Sequence, residues 1–217
     1  MKKLTTIVLS FLFLTFNAAK AEFAVGITGA LHSFDVSGTE TTRTSGEKNT
    51  GSHSEDVMVP ELFLETASGS GIEVGISYIP TREMGSKSRS DSNSDGDTGT
   101  YKAEAELDNV IQIYADIDLA EVGGYPVYAK IGVQHATITT LESLNSGSSY
   151  PDQDVTGFTI GLGTKGDVPT LDNAFYKAEV TYTDFEDYSA NSDSTPANKV
   201  EADLEDIALK LSIGYKF

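Results

Sequence analysis

The stretch that decides the fold is the C-terminal DIALKLSIGYKF, residues 206–217. Apolar side chains occupy every second position from Ile207 to Phe217, and the positions between them carry small or charged side chains. Successive side chains of a β-strand point to opposite faces. The segment therefore predicts a strand with one wholly apolar face and one polar face, ending on an aromatic residue.

The same alternation recurs in seven segments upstream, so the sequence predicts eight strands. The seven cover roughly residues 22–34, 57–66, 71–81, 101–119, 126–140, 155–165 and 174–187. The connections alternate between long polar segments and short turns. The long ones are predicted at 37–55, 85–100, 142–154 and 188–199, and the turns at 68–70, 123–124 and 166–173. An even strand count places both termini at the turn end, where the first and last strands can pair.

The final eight residues resemble the assembly signal that ends bacterial outer-membrane β-barrels, which reads polar, any, Gly, any, any, aromatic, any, aromatic. Here Lys210, Tyr215 and Phe217 match the pattern, and Ser212 replaces the usual glycine. By this resemblance, these four residues belong to the segment that the outer-membrane barrel assembly machinery recognises.

With its strand pattern, the chain after residue 21 resembles the small eight-stranded outer-membrane β-barrels of the opacity and porin-family type. The resemblance implies an all-β fold, an eight-stranded antiparallel up-and-down transmembrane barrel. Its short turns would face the periplasm and its long loops the outside. No apolar run after residue 21 approaches the ~20 residues of a membrane-spanning helix. A membrane protein of this sequence must therefore cross as a closed barrel.

Residues 1–21 have the features of a cleaved signal peptide. Lys2 and Lys3 precede a short apolar run, and Ala19-Lys20-Ala21 offers small residues at the two positions that a signal peptidase reads. We therefore expect export through the general secretory pathway to the bacterial outer membrane. The fold would be one domain, residues 22–217.

Charge and cysteine content narrow the function classes. The chain carries 33 acidic against 15 basic residues, a net charge of −18, and has no cysteine. Such a chain would repel nucleic-acid phosphates, and it has no disulfide or thiol chemistry. We expect a monomer whose partners are outer-membrane lipid and lipopolysaccharide.

Nine charged side chains are predicted to point into the barrel. They are Glu61, Glu65, Glu73, Asp116, Lys130, Lys165, Lys177, Glu179 and Lys210. An eight-stranded barrel is just wide enough for side chains to fill it, and buried charges must be paired. One interpretation is an ion-pair plug that holds the barrel shape. The other is a narrow polar conduit, in which inward glycines leave space for water.

The second long loop contains a partial calcium-loop pattern. Asp91, Asn93, Asp95 and Asp97 alternate, and Gly96 follows at the sixth position. Alternating oxygen ligands around a glycine turn can wrap a hard cation, but the pattern requires Glu at its twelfth position and this chain has Lys102. The alternatives are a weak calcium site and a solvated acidic turn. No other cofactor is expected.

Catalytic signals are weak. His135 and Thr137 lie two residues apart on one strand face, which resembles the His-x-Ser arrangement of an outer-membrane lipid A deacylase. Thr replaces Ser, and no acid is placed to orient the imidazole. The sequence therefore predicts a non-enzymatic surface protein with a structural, membrane-integrity role. The first alternative is a narrow porin for small solutes or ions, and the second is a lipid-modifying enzyme.

Overall fold

The computed structural model describes residues 22–42, 45–67, 71–92, 98–143, 149–193, 195 and 197–217. These residues form ten strands. They are β1 (Glu22–Thr41), β2 (Lys48–Ala67), β3 (Ile72–Ile79), β4 (Arg82–Ser92), β5 (Thr98–Val122), β6 (Tyr125–Ser143), β7 (Gln153–Asp167), β8 (Ala174–Phe185), β9 (Tyr188–Asn191) and β10 (Lys199–Lys216). No helix among them is long and apolar enough to cross a membrane.

The strands close into one antiparallel ring. Each main strand pairs with its neighbour in sequence, and β1 pairs with β10 from Ala24↔Lys216 to Thr41↔Lys199. The segments β3 and β4 follow one another along β5, and β8 and β9 follow one another along β10. The ten strands of the described chain therefore occupy eight positions around the wall. The all-β barrel prediction is confirmed, while the number of separate strands is two larger than predicted.

The two ends of the barrel differ, and we call them the turn end and the loop end. The turn end carries both termini, where Phe23 and Phe217 exchange backbone hydrogen bonds of 3.3 and 2.9 Å. It also carries the predicted turn at Gly123 and Gly124, whose φ angles of 63° and 86° are ones that glycine adopts without strain. The predicted turn at residues 68–70 and the predicted signal peptide lie outside the described residues.

Three predicted loops at the loop end are partly wrong, because the strands continue into them. Residues 37–41 of β1 pair with residues 48–52 of β2, inside the predicted loop 37–55. Likewise β4 extends into the predicted loop 85–100, and β9 lies in the predicted loop 188–199. Residues 37–41 carry no apolar side chain and β4 carries only Met84, so the alternation that marks a lipid-facing strand is missing. Backbone hydrogen bonding to the neighbouring strand continues without it.

One predicted side-chain direction is also wrong. Strict alternation along the predicted strand 101–119 puts Leu107 on the same outward face as Ile111, yet Leu107 is fully buried while Ile111 is 43% exposed. A β-bulge between Asp108 and Ile111 inserts an extra residue, and Asn109 there adopts a φ of 52°. A bulge shifts the alternation by one position, so the side chains before it point to the opposite face.

The apolar face changes sides partway up the wall. In β10, Ile207, Leu209 and Leu211 are exposed on the outside, whereas Leu204 is buried inside. The register of β10 with β1 is continuous through this point, so no bulge causes the change. In β1 the switch lies at the same height, between the exposed Leu31 and the buried Phe34. We call this level the apolar switch.

Candidate functional site: the barrel lumen

The turn-end half of the lumen is filled by an ion-pair cluster around two lysines. The Lys177 Nζ lies 2.6 Å from Glu65 Oε2 and 2.9 Å from Asp116 Oδ2. The Lys130 Nζ lies 2.8 Å from Glu179 Oε1 and 3.2 Å from Asp116 Oδ1. Register brings these groups together, since Asp116 stands directly opposite Lys130 on the neighbouring strand. Buried charges are tolerated when paired in this way.

A half-buried mouth lies below this cluster at the turn end. Lys165 Nζ contacts Glu73 Oε1 at 3.0 Å and Asp118 Oδ1 at 2.8 Å. A cleft of about 180 Å³ opens beside them, lined in part by Lys177 and Lys216. Polar space therefore reaches into the barrel from this end as far as the Lys177 ammonium.

The conduit interpretation expects the inward glycines to leave space for water. In the structure, aromatic rings occupy that space instead. A Cβ atom on Gly75 would fall 2.3 Å from the Tyr114 ring, and one on Gly163 would fall 2.5 Å from the Tyr128 ring. Gly26 and Gly214 receive Phe63 and Phe175 in the same way. Each ring packs over the glycine that stands opposite it on the neighbouring strand, so the ring fills the space that a side chain would need there.

A second polar layer lies at the level of the apolar switch. The fully buried His32 has its Nδ1 2.8 Å from Asp206 Oδ2 and its Nε2 3.3 Å from Glu61 Oε1. Lys210 Nζ contacts the same Glu61 oxygen at 2.8 Å. Arg82 is also buried here, with its Nη2 3.9 Å from Asp206 Oδ2. The cavity between this layer and the Lys130–Lys177 cluster has a volume of about 10 Å³, which suits one water molecule.

The loop-end half of the lumen is apolar. Its side chains pack into one hydrophobic cluster above His32 and Arg82. The buried members are Phe34, Val59, Ile79, Met84, Leu107, Val110, Ala136, Ile138, Val155, Phe185, Tyr188, Ala190 and Leu204. An ion or polar solute that passed the two charged layers would have to cross this cluster as well.

The structure places the nine predicted lumen charges on the inner face. Seven are buried: Glu61, Glu65, Asp116, Lys130, Lys177, Glu179 and Lys210. Glu73 and Lys165 are half-buried at the mouth. Three further buried charged or titratable side chains of the lumen, His32, Asp206 and Arg82, are absent from the set predicted from the sequence. The alternation of β1 and β10 already pointed His32 and Asp206 inward, but Arg82 follows a break at Pro80 and Thr81 that resets the alternation.

Among the described residues, one cluster of three carboxylates in the lumen is close enough together to hold a metal ion. Oxygens of Glu65, Glu73 and Asp116 lie within 4.8 Å of one another. The ammonium of Lys177 lies 2.6 to 3.7 Å from all three side chains and so occupies the position of a cation. Lys165 and Lys130 add a second ammonium contact to Glu73 and Asp116, so the cluster is paired with lysine side chains of the protein. The calcium prediction is not tested, because Asn93, Asp95, Asp97 and the side chain of Asp91 lie outside the described residues.

The residues of the C-terminal assembly pattern divide between the two faces of β10. Lys210 and Ser212 are buried in the lumen, where the Ser212 hydroxyl bonds that of Thr28 at 2.7 Å. Tyr215 and Phe217 are exposed on the outer wall. The outward face of the pattern is thus apolar and available at the barrel surface.

The His135 and Thr137 pair does not form a catalytic arrangement. Both project outward, and the Thr137 hydroxyl donates to Asp154 Oδ1 at 2.9 Å. A nucleophile activated by histidine would instead share a hydrogen bond with the imidazole.

Carboxylates line the outer wall above the apolar switch. Glu205 stands directly between Asp35 on β1 and Asp184 on β8. Farther up, hydrogen bonds from the Ser149 backbone and hydroxyl hold the pKa of Asp193 below its usual range, and Lys199 lowers the pKa of Glu201. The loop end is therefore a negatively charged surface at neutral pH.

A closed antiparallel ring with an apolar outer band and a charged interior defines an integral membrane β-barrel. The family comparison identifies it further: residues 5–217 match the family model for the outer membrane protein beta-barrel domain. This chain belongs to that family, whose members are bacterial outer-membrane barrels. A search of curated protein sequences gave no match.

Solved structures support the same fold. The outer membrane protein OprG from Pseudomonas aeruginosa is 16% identical, with a TM-score of 0.62 over 91% of this chain and 96% of that one. The outer membrane protein AlkL in lipid bilayers is 10% identical, with a TM-score of 0.51 over 91% and 90%. The outer membrane protease OmpT from Escherichia coli is 11% identical, with a TM-score of 0.51 over 90% and 97%. At these identities the likeness concerns the fold alone.

Proposed function

We propose that this protein is a structural surface protein of the outer membrane, with a lumen that does not conduct. The observation that carries the proposal is the filling of the lumen. The Lys130–Lys177 cluster, the aromatic rings, the His32 layer and the apolar cluster succeed one another from the turn end to the loop end. The cavity between the two charged layers has a volume of about 10 Å³.

Its role would be to stabilise the membrane and its surface charge, and it would be non-enzymatic. The loop end would face outward and present its carboxylates, which divalent cations can bridge to lipopolysaccharide phosphates. Export by the general secretory pathway and recognition of Lys210, Ser212, Tyr215 and Phe217 by the assembly machinery complete the proposal. A protein of this size with a filled lumen would act as a monomer.

A narrow channel is the second candidate. It is favoured by the cleft of about 180 Å³ at the turn end, which carries charged groups into the barrel as far as Lys177. For ions to pass, the charged layers and the apolar cluster would have to open together. The acidic loop end would then favour cations.

Conductance of the refolded protein in a planar bilayer separates the two candidates. The structural proposal predicts a silent membrane for the wild type and for Glu73→Ala, since Glu73 lies at the mouth and not in the plug. Steady, ion-selective steps in the wild type that change in Glu73→Ala and Lys130→Ala would contradict it. Different gel mobility before and after boiling would verify that each variant is folded.

A further inference from the structure

A cleft of about 370 Å³ opens at the loop end, outside the filled lumen. Four strands that pair one after another form its base, namely β9, β10, β1 and β2. Asp203 and Glu201 of β10 line it, and they continue the outward alternation of the lipid-facing Ile207. The cleft is therefore a concavity of the outer wall. Its volume lies within the range of small-molecule sites, about 300–1,000 Å³.

The cleft lies above the lipid headgroups. Asp203 is its outward residue nearest the membrane on β10, and it follows the apolar band that ends at Ile207. The four residues from Ile207 to Asp203 span about 13 Å of strand, or about 10 Å of height at a tilt of ~40°. The polar layer on each side of a bilayer is only about 5–7 Å thick. Acyl chains and headgroups thus lie below the cleft, and the sugars of a lipid-anchored glycan lie beside it.

The lining of this cleft is rich in hydroxyl groups. Serine and threonine contribute four of them, from Ser37, Thr39, Thr50 and Ser189. At Gly51 no atom lies within 4 Å of the position that a Cβ would take, so the base of the cleft is open there. The ring of Tyr188 is buried, and its hydroxyl donates to the Pro151 carbonyl at 2.8 Å. A ligand in the cleft would thus meet hydroxyl groups and small aliphatic groups.

Charges of both signs surround these hydroxyls. Asp187 and Asp203 face each other, and the hydrogen bond between their carboxyl groups raises the pKa of Asp187. Glu201 is paired with Lys199, whose Nζ lies 2.5 Å from Glu201 Oε1, and Lys48 also lines the cleft. The cleft therefore presents three carboxylates and, counting Lys199 at its edge, two ammonium groups.

This combination suits a neutral polyol better than an ion. A phosphate would be repelled by the Asp187–Asp203 pair, and a bare cation would compete with the two lysines. A sugar hydroxyl both donates and accepts, so it can bond to a carboxylate, a threonine hydroxyl or an ammonium group. The Ser37 hydroxyl already donates to Asp203 Oδ2, at 3.4 Å, in the way that a sugar hydroxyl would. The chemistry of the lining and the height of the cleft therefore agree on a sugar.

From these observations we infer that the cleft binds a neutral sugar of a membrane-anchored glycan in the outer leaflet. The sugar hydroxyls donate to the carboxylates of Asp187 and Asp203 and exchange hydrogen bonds with Thr39 and Thr50. This site rests on the proposed surface role, in which the loop end faces outward, and it adds direct sugar contact to the bridging of carboxylates by cations. Because these bonds replace bonds to water, each contributes little, and we expect weak binding.

Saturation-transfer difference NMR detects weak sugar binding to the whole barrel. The barrel is refolded into nanodiscs of deuterated phosphatidylcholine with EDTA present, and its methyl protons are saturated. The probe is the core oligosaccharide of lipopolysaccharide, released from its lipid and dephosphorylated. Asp203→Ala removes one acceptor, and Thr50→Trp fills the cleft. Glu205→Ala is the matched control, because Glu205 is the next outward carboxylate on β10 and lies outside the lining.

We expect saturation transfer to the sugar in the wild type and in Glu205→Ala. Asp203→Ala should weaken binding about tenfold, as expected for the loss of one hydrogen bond to a charged group, and Thr50→Trp should abolish it. No transfer in the wild type, or equal transfer in all four proteins, would overturn the site. Binding of the phosphorylated oligosaccharide alone, and only with calcium in place of EDTA, would also overturn it and leave cation bridging in its place.

Sugar binding and conductance can fail separately. A silent barrel that binds no sugar would remove this site and keep the proposed function, whereas a conducting barrel that binds the sugar would do the reverse. Different gel mobility before and after boiling verifies that each variant is folded.

Discussion

The two halves of this barrel, below and above the apolar switch, are built as if for different solvents. Below it, the outer wall is apolar and the interior is charged, with Leu211 outside and Lys210 inside. Above it, the outer wall carries Glu205 and the interior holds Leu204, as in a water-soluble barrel. Strands β1 and β10 run through both halves without a break in their register. The polarity of the outward side chains matches the surrounding medium, which is lipid below the switch and water above it. The backbone hydrogen bonds between strands form in the same way in both.

The largest effect is expected from truncating a side chain inside the upper half. Phe34→Ala should lower the free energy of unfolding by about 3–5 kcal/mol, because it leaves a cavity in the apolar cluster and removes the ring that contacts the Arg82 guanidinium. Leu31 lies three residues nearer the turn end on β1 and faces the lipid. Leu31→Ala should therefore lower the free energy of unfolding far less, since lipid can fill the space. Urea unfolding in lipid vesicles measures both. Equal losses would contradict an inward apolar core at Phe34.

A charge placed on the outer wall should have opposite consequences on the two sides of the switch. Leu211→Arg should cost about 2–4 kcal/mol, as expected for arginine deep in the lipid band. Glu205→Arg should be neutral or stabilising by up to about 1 kcal/mol, because Glu205 stands between two like charges, Asp35 and Asp184. The same unfolding experiment applies. A comparable loss for Glu205→Arg would place that residue in lipid.

A smaller effect is expected where rings lie over glycines. Gly75→Ala should cost about 1–3 kcal/mol, because the new methyl group would overlap the Tyr114 ring and displace its hydroxyl from Glu65. Gly29→Ala is the matched control, since nothing lies within 4 Å of a Cβ there. Its stability should be unchanged or slightly increased. A neutral Gly75→Ala would show that the ring does not fill the lumen as described.

The smallest effect concerns pH at the loop end. Hydrogen bonds from Ser149 lower the pKa of Asp193, so the folded state holds this proton less tightly than the unfolded chain. This contribution to stability is present above the ordinary aspartate pKa of about 4 and is lost as the pH falls through the folded value. Carboxyl titration by NMR should show the lowered pKa, and Ser149→Ala should raise it toward the ordinary value. An unchanged pKa of Asp193 in Ser149→Ala would show that the Ser149 hydroxyl does not lower it.

The sequence predicts the lower half well and the upper half poorly, for one physical reason. Where lipid lies outside and charges inside, alternation is strong, and it identified the inward Lys130 and the outward Leu209. Above the switch the outer face is wet, so polar residues such as those of β4 and β9 carried no strand signal. The bulge at Asp108 and the break before Arg82 each reset the alternation, and only the ladder partners reveal where. The pairing of His32 with acids on both flanking strands, β2 and β10, depends on register, which no local pattern encodes.

The most direct test of the two-solvent account is spin-label accessibility along β10 in lipid bilayers. Labels at successive positions from Glu201 to Ile213 would be exposed to oxygen, which concentrates in lipid, and to a water-soluble nickel complex. We predict that labels at 207, 209, 211 and 213 are accessible to oxygen and that labels at 201, 203 and 205 are accessible to the nickel complex. A label at Leu204 should be poorly accessible to both. Oxygen access that continued unchanged from 213 to 201 would contradict it, since the whole strand would then lie in lipid.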